Sequence, residues 1–422
     1  MNLLLKQILV FDPRSSHHEM RVDVLIRNGL FEQIAPQIEA SDDCRVMEDE
    51  GAVLMPGWFD MRVHFREPGE EQKETIRTGQ EAAAAGGFTG VLLMPSTQPP
   101  LSTGSDITFV RERSSGHAVE VFPAGVLTEN RAGKDLSGMV DMKLAGAVAF
   151  TDYKRFVSDA GLMLRCMQYA GNIDIRVIAF AEEPGLSAGL MANESPATLR
   201  LGMKGIPPMA ERIAIERDLN LVRYSGLPLH FSGVSTADAV RAIRSAKAEG
   251  LAITAEVYVA HLLLTDEALG SFDSMYKLRP PLRSEEDVIA LREAVLDGTI
   301  DVVCSDHSPQ DKESKDVEFA YASEGMIGLE SFFGLLSKAF GEKLTPELIY
   351  RTLVQNPRSI LGIDVPVIDV SMKANATVYH PNQTWVFDKT RVRSGSVNSP
   401  FFGQAMQGRS LMVINRGMIS GF

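Results

Sequence analysis

The sequence has few cysteines and lacks the long apolar and basic segments that define several classes of protein. Its three cysteines, Cys44, Cys166 and Cys304, are scattered and do not have the spacing of a metal-binding cluster. They are typical of buried thiols in a reducing compartment. No stretch approaches the roughly 18 continuous apolar residues of a membrane-spanning helix. No stretch rich in Lys and Arg interrupts the net charge of −13, which excludes nucleic acid as an expected partner.

The N-terminal residues show no targeting signal. Residues 1–6 form an apolar run that is too short for a signal peptide, and no cleavage-like site follows it. A hydrophobic content of 45% and a charged content of 23% are ordinary for a soluble globular enzyme. We therefore expect a cytoplasmic protein with no membrane partner. Its 422 residues are enough for one large barrel and a smaller domain.

The middle of the chain alternates short apolar strands with longer helical patterns. The predicted strands are Trp58–His64, Gly90–Met94, Val119–Ala124, Ala147–Phe150, Arg176–Phe180, Pro228–Ser232, Ala252–Val257 and Asp301–Ser305. The predicted helical stretches are Thr75–Ala85, Ser158–Ala170, Pro208–Tyr224, Ser235–Ala248 and Glu285–Leu296. This alternation predicts an α/β fold, a (β/α)8 TIM barrel rather than a doubly wound sheet. The active site of such a barrel lies at the C-terminal ends of its strands, where His64, Phe180, Gly233 and Asp306 fall.

Both ends of the chain have the short alternating runs of β strands. The N-terminal runs are Leu3–Val10, Val22–Arg27, Leu30–Ile34 and Arg45–Glu48, and the C-terminal runs are Ala376–His380 and Ser410–Asn415. Two terminal β segments that flank a barrel can pack into one unit. We therefore predict a composite β domain of residues 1–55 plus 366–422, and a TIM-barrel domain of residues 56–365.

Long motifs spread over the whole chain carry a family resemblance. They are Pro56–Gly69, Ala82–Gly87, Met94–Thr97, Gly202–Arg212, Thr254–Val257, Lys277–Arg283, Asp297–Asp301, Ser305–Pro309 and Asn398–Phe401. Together they resemble the motifs of dihydroorotases, members of the amidohydrolase superfamily. The resemblance runs essentially from end to end, and it implies the amidohydrolase type of TIM barrel.

The resemblance implies a chemistry and a set of site residues. Dihydroorotases interconvert dihydroorotate and carbamoyl-aspartate by opening or closing a cyclic amide. One or two zinc ions lower the pKa of a bound water and polarise the ring carbonyl. By resemblance, Asp306 moves the proton and touches the metal, and His64 is the second histidine of a first-strand His-x-His pair. Arg66 corresponds to the arginine that holds the substrate carboxylate.

The resemblance breaks at the other metal ligands. The positions of the lost ligands are Arg62 (first histidine), Tyr153 (metal-bridging group after strand four), Phe180 (strand-five histidine) and Gly233 (strand-six histidine). Arginine has no lone pair to donate, and phenylalanine and glycine side chains offer zinc nothing. His64 and Asp306 remain as a vestigial pair, whereas catalytic zinc usually has three protein ligands. We therefore predict a degenerate zinc site and no resident cofactor; zinc is expected only if the protein is active.

The substrate contacts differ as well. The family's asparagine after Met94-Pro95 is Ser96, the asparagine before Pro280-Pro281 is Arg279, and the histidine after Pro309 is Gln310. Arg66, Ser96 and Arg279 are the predicted substrate-binding residues.

Other groups near the strand ends have two interpretations. His230, Glu182, Glu183, His261 and His307 are potential substitute ligands, but we expect hydrogen-bonded or solvated side chains instead. A buried Asp306 without a metal needs a compensating positive charge. We therefore expect Arg62 to pair with Asp306.

Three functions remain open from the sequence. The first is a non-catalytic, homo-oligomeric dihydroorotase homologue that serves as a scaffold subunit for aspartate transcarbamoylase, as such homologues do in the family. The second is an active dihydroorotase with a reduced centre of His64, Asp306 and an unassigned third ligand. The third is a hydrolase or binding protein for another small molecule, with an anion pocket of Arg62, Arg66 and Arg279. The first is favoured, because the changes are concentrated at the metal positions while motifs such as Pro280–Arg283 persist.

Overall fold

The computed structural model describes residues 2–421 and contains two large sheets. Its strands are β1 Asn2–Val10, β2 Arg21–Arg27, β3 Leu30–Ala35, β4 Arg45–Glu48, β5 Val53–Pro56, β6 Trp58–Val63, β7 Phe88–Leu93, β8 Glu120–Gly125, β9 Ala149–Phe150, β10 Arg176–Phe180, β11 Ala192–Asn193, β12 Gly205–Ile206, β13 Leu229–Ser232, β14 Ile253–Tyr258, β15 Val302–Cys304, β16 Ala376–Val386, β17 Ala405–Asn415 and β18 Met418–Gly421.

Helices follow most strands of the middle segment. They are α1 Ile76–Gly86, α2 Gly104–Arg113, α3 Met139–Ala145, α4 Ala160–Asn172, α5 Pro184–Ser187, α6 Pro196–Arg200, α7 Met209–Ser225, α8 Ala237–Ala248, α9 Glu285–Asp297, α10 Lys312–Lys315, α11 Phe332–Phe340, α12 Pro346–Ile349 and α13 Asn356–Leu361. Short polar side chains fix several starts: Thr75, Asp159, Thr236 and Ser284 each accept a backbone N–H at the beginning of the helix that follows.

The eight predicted barrel strands are confirmed. The strands β6, β7, β8, β9, β10, β13, β14 and β15 pair in parallel in chain order. A parallel bridge between Val63 and His307, with the His64 N–H donating to the His307 carbonyl at 2.9 Å, joins the end of β15 to the end of β6. The sheet therefore curls into a near-closed TIM barrel, and the five predicted helical stretches correspond to α1, α4, α7, α8 and α9.

The second sheet is built from both ends of the chain. Its order is β18-β17-β16-β5-β1-β2-β3, with β4 paired to β1. The short strand β5 joins the two ends, because it pairs parallel with β1 and antiparallel with β16. An apolar core that includes Leu5, Val24, Leu54 and Val378 lies on one face of this sheet. β5 and β18 had not been predicted from the sequence.

The barrel positions the site. Apolar side chains fill the layer between strands and helices, including Val63, Leu93, Val240 and Leu291. Because the strands are parallel, their C-terminal ends meet at one end of the barrel, and the polar residues that follow β6, β9, β10 and β15 lie there. Between residues 2 and 421, no helix combines the length and apolar composition that a membrane crossing requires.

Candidate active site

His64 and Asp306 meet at the mouth of the barrel. His64 follows β6 and Asp306 follows β15, with a left-handed backbone at Asp306 (φ 50°). His64 Nε2 is 3.5 Å from Asp306 Oδ1, and His64 Nδ1 is 2.8 Å from the hydroxyl of Ser96. Three of the predicted site residues therefore form one contiguous group, and the imidazole of His64 is completely buried.

The cation beside Asp306 is Lys154. Its Nζ lies 2.7 Å from Asp306 Oδ2, and both side chains are almost entirely buried. The ammonium group also lies 5.3 Å from the centre of the Tyr153 ring and 5.5 Å from that of Tyr258. The expected pairing of Arg62 with Asp306 is wrong, because the Arg62 side chain is bonded to Glu256 instead.

The pKa values of this group follow from burial and from Lys154. Burial alone raises the pKa of Asp306, but the nearby Lys154, His64 and Arg62 outweigh it and lower that pKa to about 2. Burial, assisted by the positive charges of Arg66 and Lys154, lowers the pKa of His64 to about 3. At neutral pH the site therefore holds a carboxylate, a neutral imidazole and an ammonium ion.

Arg62 belongs to a second charged cluster inside the barrel. Its Nε donates to Glu256 Oε1 at 2.5 Å, and both side chains are completely buried. Glu256 Oε2 is 3.1 Å from His230 Nε2, and the Cys304 thiol is 3.2 Å from the same oxygen. Strands β6 and β14 are not neighbours in the sheet, so this contact crosses the barrel interior.

Charge pairing keeps both partners of this interior cluster ionised. Burial acts to raise the pKa of Glu256, but Arg62 and then His230 lower it below its usual range. Burial acts to lower the pKa of Arg62, and Glu256 raises it overall. The arginine at the first lost-ligand position therefore has its own counter-charge.

The space beside Gly233 is filled by Tyr258. A Cβ at Gly233 would lie 2.6 Å from the Tyr258 hydroxyl oxygen, and the glycine adopts a left-handed backbone (φ 65°). Tyr258 is buried at the end of β14. Its hydroxyl has no hydrogen-bond partner among residues 2–421. The neighbouring phenol therefore disfavours a side chain at the strand-six position, and the left-handed backbone there favours glycine.

The other two lost-ligand positions carry aromatic rings. The Tyr153 ring packs against the His64 imidazole, with centroids 4.3 Å apart, and its backbone is also left-handed (φ 60°). Phe180 ends β10 and lines a cavity beside Lys154. Neither Tyr153 nor Phe180 has a ring nitrogen or a carboxylate to offer a metal.

The predicted substrate-binding residues are divided between two places. Ser96 contacts His64, as described above. Arg66 donates to the Ser308 hydroxyl at 2.7 Å and to the Pro309 carbonyl at 3.1 Å. Arg279 is an ion-pair partner of Glu182 and lies 3.5 Å from Glu324. No bound molecule tests their predicted role, which stays a prediction.

Three of the potential substitute ligands, His261, His307 and Glu183, form hydrogen bonds within the chain. His261 Nε2 is 3.0 Å from the Pro280 carbonyl, and burial lowers the pKa of this imidazole to about 4. His307 Nε2 is 3.3 Å from Glu74, and its Nδ1 accepts from the Gly328 N–H at 3.2 Å. Glu183 accepts the Gly185 N–H at the start of α5.

The donor set does not fit the zinc that the resemblance implies. His64 Nε2 and Asp306 Oδ1 have no hydrogen-bond partner among the described residues, so two donor atoms are available. Across residues 2–421, however, no group of three or more His, Cys, Asp or Glu side chains is arranged to hold a metal ion. The Lys154 ammonium on the same carboxylate adds a repulsive charge.

Three residues contribute to the site but were not predicted from the sequence: Lys154, Glu256 and Tyr258. Glu256 and Tyr258 are two residues apart on β14, and alternation along a strand points both to one side. That signal was present in the sequence. Lys154 directly follows a lost-ligand position, but its contact with Asp306 joins residues 152 positions apart and has no local signature.

Comparison with known proteins identifies close relatives over the full length. A family model described as "Dihydro-orotase-like" matches residues 51–239. The dihydroorotase of Syntrophus aciditrophicus (strain SB) is 40% identical over 422 residues, which cover 99% of each chain. The dihydroorotase of Pelotomaculum thermopropionicum is 41% identical over 421 residues, which cover 99% of this chain and 98% of that protein.

Solved structures support the fold. The L-hydantoinase (dihydropyrimidinase) from Arthrobacter aurescens superposes with a TM-score of 0.86 and 22% identity, covering 100% of this chain and 96% of that one. A D-hydantoinase from Thermus sp. gives a TM-score of 0.82 with 21% identity over 99% of this chain and 95% of that one. At these identities the likeness extends to the barrel and its terminal sheet, which agrees with the predicted architecture.

Proposed function

This chain belongs to the dihydroorotase family of pyrimidine biosynthesis, and we propose that it is a non-catalytic member that acts as a scaffold subunit for aspartate transcarbamoylase. The observation that carries this proposal is the Lys154–Asp306 contact of 2.7 Å at the metal end of the barrel. In the family the corresponding carboxylate touches a metal and moves a proton. Here it is held by an ammonium group.

Two physical consequences support the loss of hydrolysis. An ammonium ion supplies positive charge, but it has no empty coordination position for water or for a ring carbonyl. A carboxylate with a pKa of about 2 is also a weak base, poorly matched to proton transfer at neutral pH. Charge compensation has therefore replaced the two functions that Asp306 would serve.

The contacts around Arg62 and Gly233 support the proposal as well, because the side chains there form a packed interior. Arg62 has gained a buried partner in Glu256, and Tyr258 occupies the space beside Gly233. These changes compensate the introduced charge and fill the vacated volume, which preserves stability. A chain selected for its fold and its surface, rather than for turnover, would keep compensations of this kind.

The decisive experiment measures metal content and turnover on the same preparation. Purified protein is assayed for bound zinc and for dihydroorotate hydrolysis, with and without added zinc, beside the Syntrophus aciditrophicus relative as a positive control. We expect zinc well below one ion per chain and no turnover above background. Near-stoichiometric zinc together with turnover would overturn the proposal.

A matched variant separates true activity from contamination. Any hydrolysis that belongs to this site should disappear in Asp306→Asn, which removes the carboxylate charge and keeps the side-chain volume. Hydrolysis that persists in this variant comes from another protein in the preparation.

The scaffold role is tested by assembly. The full chain is mixed with aspartate transcarbamoylase from the same organism and analysed by size-exclusion chromatography with light scattering. We expect a complex that is larger than either protein, and a homo-oligomer for the chain alone. Two independent peaks at micromolar concentrations would contradict the scaffold role while leaving the loss of catalysis standing.

A second candidate function is an active dihydroorotase with a reduced metal centre. The free His64 Nε2 and Asp306 Oδ1 favour it, because their separation of 3.5 Å is close to the distance between two ligands of one tetrahedral zinc. The zinc and turnover assay decides between the two functions. In this alternative the centre also needs a third ligand, which the sequence leaves unassigned.

A further inference from the structure

A second cavity lies outside the barrel, where the helices α1 and α11 meet the terminal sheet. Its volume is about 320 Å³. Its wall is formed by the end of α1, the first turn of α11, the strands β16 and β17 and the segment that follows β16. His64, Lys154 and Asp306 do not line it. The cavity is therefore separate from the mouth of the barrel.

Two arginines in this wall have no carboxylate partner. Arg391 follows β16 and Arg409 lies on β17, and neither guanidinium forms an ion pair within 4.0 Å among residues 2–421. The Nε of Arg391 is buried and has no hydrogen-bond partner there either. Burial lowers the pKa of Arg409, and the like charge of Arg391 lowers it further. Arg393 also lines the cavity and is exposed to solvent.

The wall also contains the carboxylate of Glu330, whose two oxygens have different surroundings. Its Oε1 accepts the N–H groups of Arg393 at 3.1 Å and of Ser394 at 2.9 Å, and the Ser394 hydroxyl at 2.7 Å. Its Oε2 is buried and has no hydrogen-bond partner in the described part of the chain. Glu330 is 7% exposed, so this oxygen has little access to water unless the cavity supplies it.

Charges of opposite sign therefore line one cavity without pairing. Glu330 lies more than 4.0 Å from the guanidinium groups of Arg391 and Arg409. Buried opposite charges usually pair, because the contact offsets the cost of removing each from water. The interior pair of Arg62 and Glu256 shows that outcome in the same protein. A ligand with one negative and one positive group would give both sides of this cavity a partner.

Two aromatic rings supply the apolar part of the wall. The indole Nε1 of Trp385 donates to the Gly408 carbonyl at 2.9 Å, which fixes the orientation of the ring. Gly408 has a left-handed backbone (φ 82°), and a Cβ there would lie 2.7 Å from the Phe333 ring. The buried hydroxyl of Ser410 has no hydrogen-bond partner within residues 2–421, so it is available as a further donor.

We propose that this cavity binds a free α-amino acid with an apolar side chain, with its carboxylate on Arg391 and Arg409 and its ammonium group on Glu330. Planar guanidinium groups bind carboxylates through two parallel hydrogen bonds, and a carboxylate oxygen accepts strongly from an ammonium group. The rings of Trp385 and Phe333 form the surface for the side chain. A cavity of this size lies at the lower end of those that hold small ligands, which suits one amino acid.

The position of the cavity predicts an effect on stability. Phe333 belongs to α11, whereas Trp385 and Arg409 belong to the terminal sheet, so a bound ligand contacts both parts. A ligand that binds only the folded protein raises the melting temperature. The proposal concerns a site away from the mouth of the barrel and does not depend on whether the protein hydrolyses dihydroorotate.

The test is isothermal titration calorimetry on the full chain with L-phenylalanine and L-leucine, at about 0.1 M salt so that non-specific attraction is screened. Two analogues of phenylalanine are matched controls: 3-phenylpropionate lacks the ammonium group, and 2-phenylethylamine lacks the carboxylate. We expect saturable binding of an amino acid and at least about tenfold weaker binding of each analogue. An analogue that binds as tightly as L-phenylalanine would overturn the assignment of a zwitterion.

Substitutions of the arginines locate the binding. Arg391→Gln and Arg409→Gln should each weaken L-phenylalanine binding by about tenfold or more, since each removes a charged partner of the carboxylate. Arg241→Gln on α8, where the side chain is 62% exposed, makes the same change in net charge and should leave binding unchanged. Binding that survives both cavity substitutions would overturn the proposal.

A third substitution separates the role of Glu330 in binding from its role in folding. Glu330→Gln keeps an oxygen that can accept the N–H groups of Arg393 and Ser394, but it removes the negative charge. We expect about tenfold weaker binding of L-phenylalanine and no weakening of 3-phenylpropionate, which has no ammonium group. Equal weakening of both would show that Glu330 only holds the wall in place, and would overturn its assignment as the ammonium partner.

Three further results would also refute the proposal. The first is the absence of saturable heat with either amino acid up to about 10 mM. The second is tighter binding of inorganic phosphate than of either amino acid, which would indicate a plain anion site. The third is binding of L-serine as tight as that of L-phenylalanine, which would contradict an apolar side chain. None of these results bears on zinc content or turnover, so the proposed function is judged separately.

Discussion

Two groups of buried arginines in this barrel have opposite electrostatic surroundings. Arg62, deep between β6 and β14, is matched by Glu256, which His230 and Cys304 also contact. Burial lowers the pKa of Arg131, in the cavity at the rim, and the like charge of the exposed Arg155 lowers it further, whereas Tyr153 and Asp152 act to raise it. The charge of Arg62 is compensated within the chain, whereas the guanidinium of Arg131 has no ion-pair partner within 4.0 Å among residues 2–421.

The comparison separates a buried charge pair inside the barrel from a group of charges that lines a cavity at its rim. The interior pair joins β6 to β14 across the barrel, although Nη1 and Nη2 of Arg62 have no hydrogen-bond partner among residues 2–421. The Lys154–Asp306 pair lies between the two regions, because Lys154 both neutralises the retained carboxylate and lines the rim cavity. Substitutions in the interior pair and at the Lys154–Asp306 pair should therefore show how much each contributes to stability.

The largest expected effect is the loss of the interior counter-charge. Glu256→Gln keeps the side-chain volume but leaves Arg62 buried without a carboxylate, which should lower the free energy of unfolding by about 3–5 kcal/mol. Urea denaturation at pH 7 measures this change. The control Glu249→Gln removes a fully exposed partner of Arg223 and should have little effect. Equal decreases in the free energy of unfolding of the two variants would contradict a larger stabilising role for the buried pair than for the exposed one.

A smaller loss is expected at the mouth of the barrel. Lys154→Met removes the ammonium group from Asp306 and so raises the pKa of that carboxyl group. The variant should lower the free energy of unfolding by about 2 kcal/mol at pH 7. The control is Lys312→Met in the exposed segment α10. Asp306 is more acidic folded than unfolded, so its contribution is present above about pH 4 and is lost toward pH 2. The penalty of Lys154→Met should therefore shrink as the pH falls through this window.

Because the His64 imidazole is neutral in the folded protein, we expect acid to lower the stability of the protein. This loss should begin at a higher pH than the loss that involves Asp306. The pKa of His64 is about 3 in the folded protein and about 6.5 in the unfolded chain, so the unfolded chain binds more protons below pH 6.5. Stability from this residue is complete above pH 6.5 and falls as the pH drops, by about 2 kcal/mol at pH 5. His64→Gln should flatten this part of the pH profile of unfolding. An unchanged slope in this variant would contradict a buried imidazole that stays neutral in the folded protein.

The smallest effect concerns the space filled by Tyr258. Gly233→Ala places a Cβ against the phenol, whereas Gly226→Ala has the same left-handed backbone and no heavy atom within 4 Å. Both variants incur the backbone cost of roughly 1–2 kcal/mol. The excess cost of Gly233→Ala, about 1 kcal/mol or more, measures the packing of Tyr258. Equal melting temperatures for the two variants would contradict a filled ligand position.

The sequence was informative where the signal is local. Runs such as Trp58–Val63 and Ile253–Tyr258 are apolar or alternating over a few residues, and the order of strands and helices restricts the topology to a barrel. The predicted loss of metal ligands also rests on local information, because arginine, phenylalanine and glycine differ from histidine in chemistry and not only in position.

The sequence was uninformative about which charges meet. Arg62 was expected to pair with Asp306, yet its partner is Glu256, 194 positions along the chain. Strand β5 was missed because four residues carry almost no periodic signal, although it joins the two ends of the terminal sheet.

By itself, the sequence determined the barrel fold and placed His64 and Asp306 at one end of the barrel. The tertiary structure decided which side chains surround them and their neighbours: Lys154 on Asp306, Glu256 on Arg62, Tyr258 beside Gly233, and two arginines without ion-pair partners at the rim. The physical reason is range. Strand and helix patterns arise from neighbours along the chain, whereas charge compensation depends on distances of a few ångströms between side chains that the barrel alone brings together.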